Sequence, residues 1–168
     1  MPANRYEFVD VWNIPHPADV VWEVLARPSR FPEWWRGVYL KAELVGGDGE
    51  PSVGSRVAVV AKGWLPYKLK ATFEATRLEK PNLIEFKAEG DFKTDSSRWI
   101  IRESSGGTQA TLEWNPIVDQ AFVRAFSFLL KPLFRSNHRW TMKRGEKQIA
   151  AYIASKGQAD SPGMLLPR

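Results

Sequence analysis

The chain contains no cysteine. That absence excludes a disulfide frame and a thiolate nucleophile. Histidine is nearly as scarce, with His16 and His138 the only two. No metal centre is expected from so few soft or imidazole ligands. No apolar run reaches the roughly 18 residues that a membrane-spanning helix needs. The first residues lack the basic start and apolar stretch of a secretory signal, so the expectation is a soluble, cytoplasmic protein. The glycines do not form a phosphate loop either: "VGGDGE" falls in a turn between strands and lacks the lysine such a loop requires. No cofactor is expected.

What is present reads as a globular protein. The 168 residues are 43% hydrophobic and 26% charged, which suits one domain with a single core. The net charge of +5 is unevenly placed. Residues 119–156 hold eight Lys/Arg against two Asp/Glu, and the rest of the chain is close to neutral. Two readings of that basic stretch stay open, a solvated helix face or an attraction for anionic surfaces such as lipid headgroups. Nucleic acid is not an expected partner. The basic helix lacks a groove-reading motif, and the aromatics are not spaced as a stacking platform.

Periodicity divides the chain into three parts. "YEFVDVWNI" reads as a strand with Phe8, Trp12 and Ile14 on one face. In "HPADVVWEVLARPSRFPEWW", Pro17 suits a first helical position, and Val20, Val21, Val24 and Leu25 recur at helical spacing. Pro28 ends that helix, and a second short helix runs towards Trp34 and Trp35. From Val38 to Ile117 the period changes to two. Val38, Leu40, Ala42 and Leu44 share one face; so do Tyr67, Leu69, Ala71, Phe73 and Ala75. Ile84, Phe86 and Ala88 follow, then Trp99 and Ile101, then Ala110, Leu112 and Trp114. Turn signals separate these runs, which predicts an antiparallel meander with one dry face and one wet face.

The last element is a long helix opening at Asp119. Its first apolar seam is Phe122, Phe126, Leu129 or Leu130, and Leu133; a second runs Phe134, His138, Met142, Gly145, Ile149 and Ile153. The change of seam falls at Pro132, which predicts a kink there. Residues 1–156 are expected to form one domain, and "GQADSPGMLLPR", 157–168, a flexible C-terminal tail. The fold class predicted is α+β: a curved antiparallel sheet wrapped around a long kinked C-terminal helix, with two short helices near the N-terminus.

The strand with "PADVVWEVLARPSRFPEWW", the hairpin "KGWLPYKLKATFEATRLEKPNLIEFKAEGDF", the strand "TLEWNPIV" and the helical "NHRWTMKRGEKQI" resemble the START/Bet v 1-like (SRPBCC) superfamily. Within it, they are similar to the small polyketide cyclase/dehydrase-type proteins. The resemblance covers roughly residues 5–155. It implies the helix-grip fold, with a cavity between the concave face of the sheet and the long helix.

The wall of that cavity would then be the dry face and the helix seam: Tyr67, Leu69, Phe73, Phe86, Trp99, Leu112 and Trp114, with Phe126, Leu130, Phe134 and His138. Trp34 and Trp35 are adjacent and cannot fill one core position. One is expected to pack on the first helix and the sheet edge, and Trp35 is placed at the cavity mouth; two ordinary core aromatics is the plainer alternative. Trp64, in "GWLPY", is either a binding rim or packed locally against the helix. Inward polar groups are few: Asp10, Tyr67 and His138. His138 is either a satisfied core histidine or a group that orients a ligand or shuttles a proton. Three functions compete: binding of a small hydrophobic or amphipathic ligand (a lipid, polyketide, isoprenoid or aromatic metabolite), a polyketide cyclase/dehydratase-like enzyme, and a membrane-associated lipid or quinone carrier. Tyr67 and His138 would orient the ligand in the first, His138 or Asp10 would move protons in the second, and Trp35 and Trp64 would meet the membrane in the third.

Overall fold

The structure is a computed structural model that describes residues 5–118 and 121–159, of which 121–130 and 158–159 are described by their backbone alone. Eight strands and three α-helices follow one another: β1 (Phe8–Ile14), α1 (Ala18–Leu25), α2 (Phe31–Trp34), β2 (Tyr39–Gly46), β3 (Arg56–Ala61), β4 (Leu69–Glu79), β5 (Leu83–Gly90), β6 (Phe92–Ser104), β7 (Gly107–Trp114), β8 (Ile117–Val118) and α3 (Ala121–Ala159). A 3-10 turn at Pro28–Arg30 joins α1 to α2. The sheet is antiparallel in the order β1-β7-β6-β5-β4-β3-β2, and the two-residue β8 pairs with β6. This is the curved sheet and long helix that the two periodicities predict.

The period-two pattern works because alternate side chains stand on opposite faces of a strand. In β1, Trp12 and Ile14 are buried while Val9 and Val11 are exposed. In β6 and β7, Trp99, Ile101, Ala110 and Leu112 are all buried, and the register places Trp99 beside Leu112 and Ile101 beside Ala110. The pattern fails in β2. Leu40 is exposed and Tyr39 turns inward instead, while Ala42 and Leu44 keep the expected face, Leu44 lining the cavity though 40% exposed. The pairing of β2 with β3 shifts register between Tyr39 and Lys41 and again between Leu44 and Gly46. Each such irregularity inserts an unpaired residue and reverses which parity faces the core.

In α1 the buried stripe is Val21, Trp22 and Leu25, with Val20 and Val24 at its margin. Trp22 joins it because its indole N–H donates to the Leu83 carbonyl at 3.1 Å. Pro17 precedes the helix as its cap residue, one position earlier than the spacing suggests. In α3 the second seam is the one that packs: His138, Met142, Gly145, Ile149 and Ile153 are buried, and Leu133 is 41% exposed. Pro132 lies inside this helix and cannot donate to the carbonyl four residues earlier. The helix continues to Ala159, three residues past the expected domain end. The expected N-cap, Asp119, and the first-seam side chains Phe122, Phe126, Leu129 and Leu130 lie outside the described residues.

At Gly145 the backbone of α3 lies directly against aromatic side chains. A Cβ there would stand 2.5 Å from Trp35 and 2.7 Å from Trp12. Those two indoles meet edge to face at 5.2 Å, directly over the helix backbone. Polar contacts fix the same pair of elements: the Asn13 amide donates to Glu146 Oε1 at 2.8 Å, and His16 Nε2 lies 3.0 Å from the Ala150 carbonyl. Gly145→Ala gains about 1 kcal/mol of helix propensity but overpacks a tight contact at a cost of about 1–3 kcal/mol. We expect a net loss, read as a melting temperature lowered by several degrees in a thermal unfolding scan. An unchanged or higher melting temperature would show that the indoles yield easily.

Candidate functional site

Between the concave face of the sheet and α3 lies a cavity of about 210 Å³. One water needs only about 10–15 Å³. The wall is built strand by strand from inward parities. β4 supplies Leu69, Phe73 and Ala75; β5 supplies Ile84 and Phe86; β6 and β7 supply Trp99, Leu112 and Trp114. From α3 come Phe134, His138 and Met142, and Tyr67 enters from the turn before β4. Ten of the residues that the sequence singles out therefore share this one wall, counting Trp35.

Trp35 is placed differently from the expectation. Both adjacent tryptophans are core residues, Trp34 3% and Trp35 4% exposed. The Trp35 indole N–H donates to the Thr141 carbonyl of α3 at 3.0 Å, and Trp34 stacks on Trp35 at 5.2 Å. Trp35 is thus a cavity wall held by the helix, not a lid at the mouth. Trp64 is 46% exposed and does not line the cavity. Its neighbours on both sides face α3. A Cβ on Gly63 would collide with the Asn137 side chain at 2.0 Å, and the Leu65 amide donates to Asn137 Oδ1 at 3.1 Å. With Gly63 and Leu65 turned to the helix, Trp64 between them points away. Phe126 and Leu130 lie outside the described residues.

His138 is the central polar group. Its Nε2 lies 2.5 Å from Asp10 Oδ2, so a carboxylate on the inward parity of β1 backs an imidazole on α3. The ring stacks on Phe8 at 3.9 Å and lies 5.3 Å from Trp114, and those two rings also contact each other at 5.7 Å, so the three form one aromatic cluster. His138 lines the cavity and Asp10 does not. A carboxylate accepting from Nε2–H fixes the tautomer and leaves Nδ1 as the nitrogen free to accept. Such a pair can orient a polar group or move a proton. It stands alone, since among the described residues no three His, Asp or Glu side chains converge.

Three tyrosines add further hydroxyls to the wall, of which the sequence singles out Tyr67. Burial pushes the hydroxyls of Tyr39 and Tyr67 well above the usual tyrosine value, so both stay protonated at ordinary pH. Tyr6 is also raised by burial, with the Arg135 charge pulling the other way. Tyr39 was hidden by the bulge in β2. Tyr6 was legible, because the inward parity of β1 (Phe8, Asp10, Trp12, Ile14) extended back by two residues reaches it. At the rim, Arg27 bridges from the end of α1 to Glu50 in the β2–β3 loop at 2.7 Å.

Similarity to known proteins agrees with this geometry. No curated protein sequence is a match. The fold is shared with the aromatase/cyclase Zhui from Streptomyces sp. R1128, at a TM-score of 0.70 and 14% identity over 95% of this chain and 98% of that one. It is shared with major latex-like protein 151 from Panax ginseng, at 0.62 and 16% over 88% and 97%. The di-domain aromatase/cyclase BexL of the BE-7585A biosynthetic pathway matches at 0.57 and 17%; 88% of this chain is covered, but the chain spans 50% of that protein. At such identities these likenesses concern the fold. The family model described as "Polyketide cyclase / dehydrase and lipid transport" matches residues 14–145, most of the sequence, and the chain belongs to that family.

Proposed function

We propose that the protein binds a small hydrophobic or amphipathic molecule in the cavity, apolar body against the sheet and polar group towards α3. The observation that carries this reading is an interior space of about 210 Å³ with an aromatic and aliphatic wall and one buried imidazole on it, backed by the Asp10 carboxylate. Protein interiors are otherwise close-packed, and an apolar space of this size is a standing gain for any ligand that fills it. Native mass spectrometry of protein from its own host is expected to reveal a co-purifying small molecule. Trp35, Trp99 and Trp114 line the wall, so binding should also quench indole fluorescence. Leu69→Trp fills part of the space and is expected to abolish binding while the thermal transition stays cooperative. Protein that carries no molecule, and whose fluorescence responds to no member of an amphipathic aromatic panel, would overturn the reading.

The His138–Asp10 contact favours a second reading, a cyclase/dehydratase-like enzyme in which the imidazole moves a proton on a substrate shaped by the wall. The discriminating variant is His138→Ala with a poly-β-ketone mimic as substrate. A turnover lost at least 100-fold with affinity retained marks the enzyme; affinity lost to the same degree as any product formation marks simple binding. The variant also leaves the Asp10 carboxylate without its partner, and a stability loss of about 1–3 kcal/mol in urea unfolding is expected.

Carriage between membranes is a third reading, favoured by one stretch of surface. Leu133, Asn137, Trp140 and Arg144 recur at helical spacing on α3, Asn137 ties that stripe to the loop bearing Trp64, and no acidic residue occurs from 120 to 145 or from 61 to 73. Trp64 and Trp140 are exposed, and Arg144 lies 5.3 Å from the Trp140 ring. Aromatic side chains among cations suit an anionic headgroup layer. Among the described residues no helix is long and apolar enough to cross a membrane. Sedimentation with anionic vesicles should show binding at low salt that falls at high salt and is weakened in Trp64→Ala. Absence of binding at low salt removes this reading.

A further inference from the structure

One end of the cavity carries polar chemistry that the His138–Asp10 pair does not use. Tyr6 is 4% exposed, and its hydroxyl is buried with no hydrogen-bond partner. An unmade hydrogen bond of this kind destabilises the empty protein. Tyr67 lies beside it. Both rings meet Phe134 edge-on, at 5.7 Å and 6.1 Å, so the two tyrosines flank one phenyl group of α3. Their hydroxyls feel each other, since a charge on Tyr6 would push Tyr67 further up. Among the described residues the Tyr67 hydroxyl has no protein partner either. Both residues line the cavity.

We propose that the Tyr6 and Tyr67 hydroxyls form a two-donor subsite for one uncharged carbonyl oxygen of the ligand, such as that of a ketone, quinone or ester. This rests on the ligand-binding reading above and adds the class of group recognised. A carbonyl oxygen has two lone pairs, which matches two O–H donors carried on rings that flank the same phenyl group. A donor-only ligand group leaves both hydroxyls competing for its proton. A carboxylate fits poorly. The cations near Tyr6 are Lys131, over its ring at 6.0 Å, and Arg135, and neither lines the cavity. A ligand carboxylate would lose its water against the two neutral hydroxyls, and the cations that do line the cavity, Arg27 and Lys62, make no hydrogen bond or ring contact with either tyrosine. The subsite is also neutral over a wide range. Burial holds both hydroxyls protonated, so recognition should be flat from about pH 6 to 9.

The probes are three naphthalenes that differ at one position: a 6-propionyl ketone, its 6-propyl counterpart without the oxygen, and a 6-carboxylate, each with the same 2-dimethylamino group. Emission of the ketone also reports hydrogen bonding to its carbonyl. With wild-type protein the ketone is expected to bind about tenfold tighter than the propyl compound, and the carboxylate weakest. Tyr6→Phe and Tyr67→Phe keep the rings and should each cut the ketone's advantage roughly threefold to tenfold, with propyl affinity little changed. Ketone emission should shift to the blue in both variants. Tyr6→Phe should also melt at or above the wild-type temperature, because it removes a buried hydroxyl without a partner. If the propyl compound binds but the ketone has no advantage, or the variants leave the ratio unchanged, the carbonyl subsite is wrong and the ligand-binding reading stands. Tightest binding of the carboxylate overturns the subsite as well. If none of the three binds wild-type protein, the ligand-binding reading fails and the subsite with it.

Discussion

The architecture depends on how closely one helix can approach one strand. Gly145 lets the α3 backbone lie against the indoles of Trp12 and Trp35, and a single methyl group would not fit in that contact. Everything nearby follows from it. With the helix held there, the Trp35 indole reaches the Thr141 carbonyl, and Asn13 and His16 reach Glu146 and Ala150. Along the same line towards the N-terminal half of α3 come Met142 and then His138, which meets Asp10. The helix is thus held against β1 along this seam, and Phe134, His138 and Met142 on it line the cavity.

The interior can be both stable and hollow. The buried cluster includes Trp12, Ile14, Val21, Ile101 and Ile149, together with Trp35, which with Trp12 covers Gly145. Burying a large apolar side chain contributes about 1.5–3 kcal/mol, so such a cluster can offset unfilled space elsewhere. A second small cluster of Val57, Val59, Ala71, Ala88 and Phe92 lies on the same concave face, and its Val57 and Phe92 line the cavity. The cavity borders both packed regions and does not replace either.

Much of this was legible in the residues, for reasons that also say where legibility stops. Strand parity placed Leu69, Phe73, Phe86, Trp99, Leu112 and Trp114 on the wall, because a pleated strand has no choice about which side chains share a face. The change of seam at Pro132 placed Phe134 and His138 there too. The contact between His138 and Asp10 spans 128 positions of sequence, and no local pattern announces it. Tyr39 and Leu40 were exchanged because a bulge is a property of the pairing with β3, not of either strand. Trp35 was misplaced because composition cannot tell a wall from a lid. That depends on whether its indole finds an acceptor, here the Thr141 carbonyl of α3. Trp64 faces outward for a similar reason, its orientation being set by Asn137 on α3, which holds the residues on either side of it.

An open sheet has two unpaired margins, and the strands β1 and β2 are those margins here. A bare margin is a template for further strands from other molecules. On β1, the outward amide of Asn13 is already taken by Glu146. The helix that closes the cavity thereby also blocks addition of a foreign strand at that position. On β2, two register shifts break the regular row of donors and acceptors that a foreign strand would have to match. The irregularity that turned Tyr39 inward is thus also a guard against edge-to-edge association, so straightening β2 to restore perfect alternation would lengthen the exposed template while it emptied one side of the ligand space.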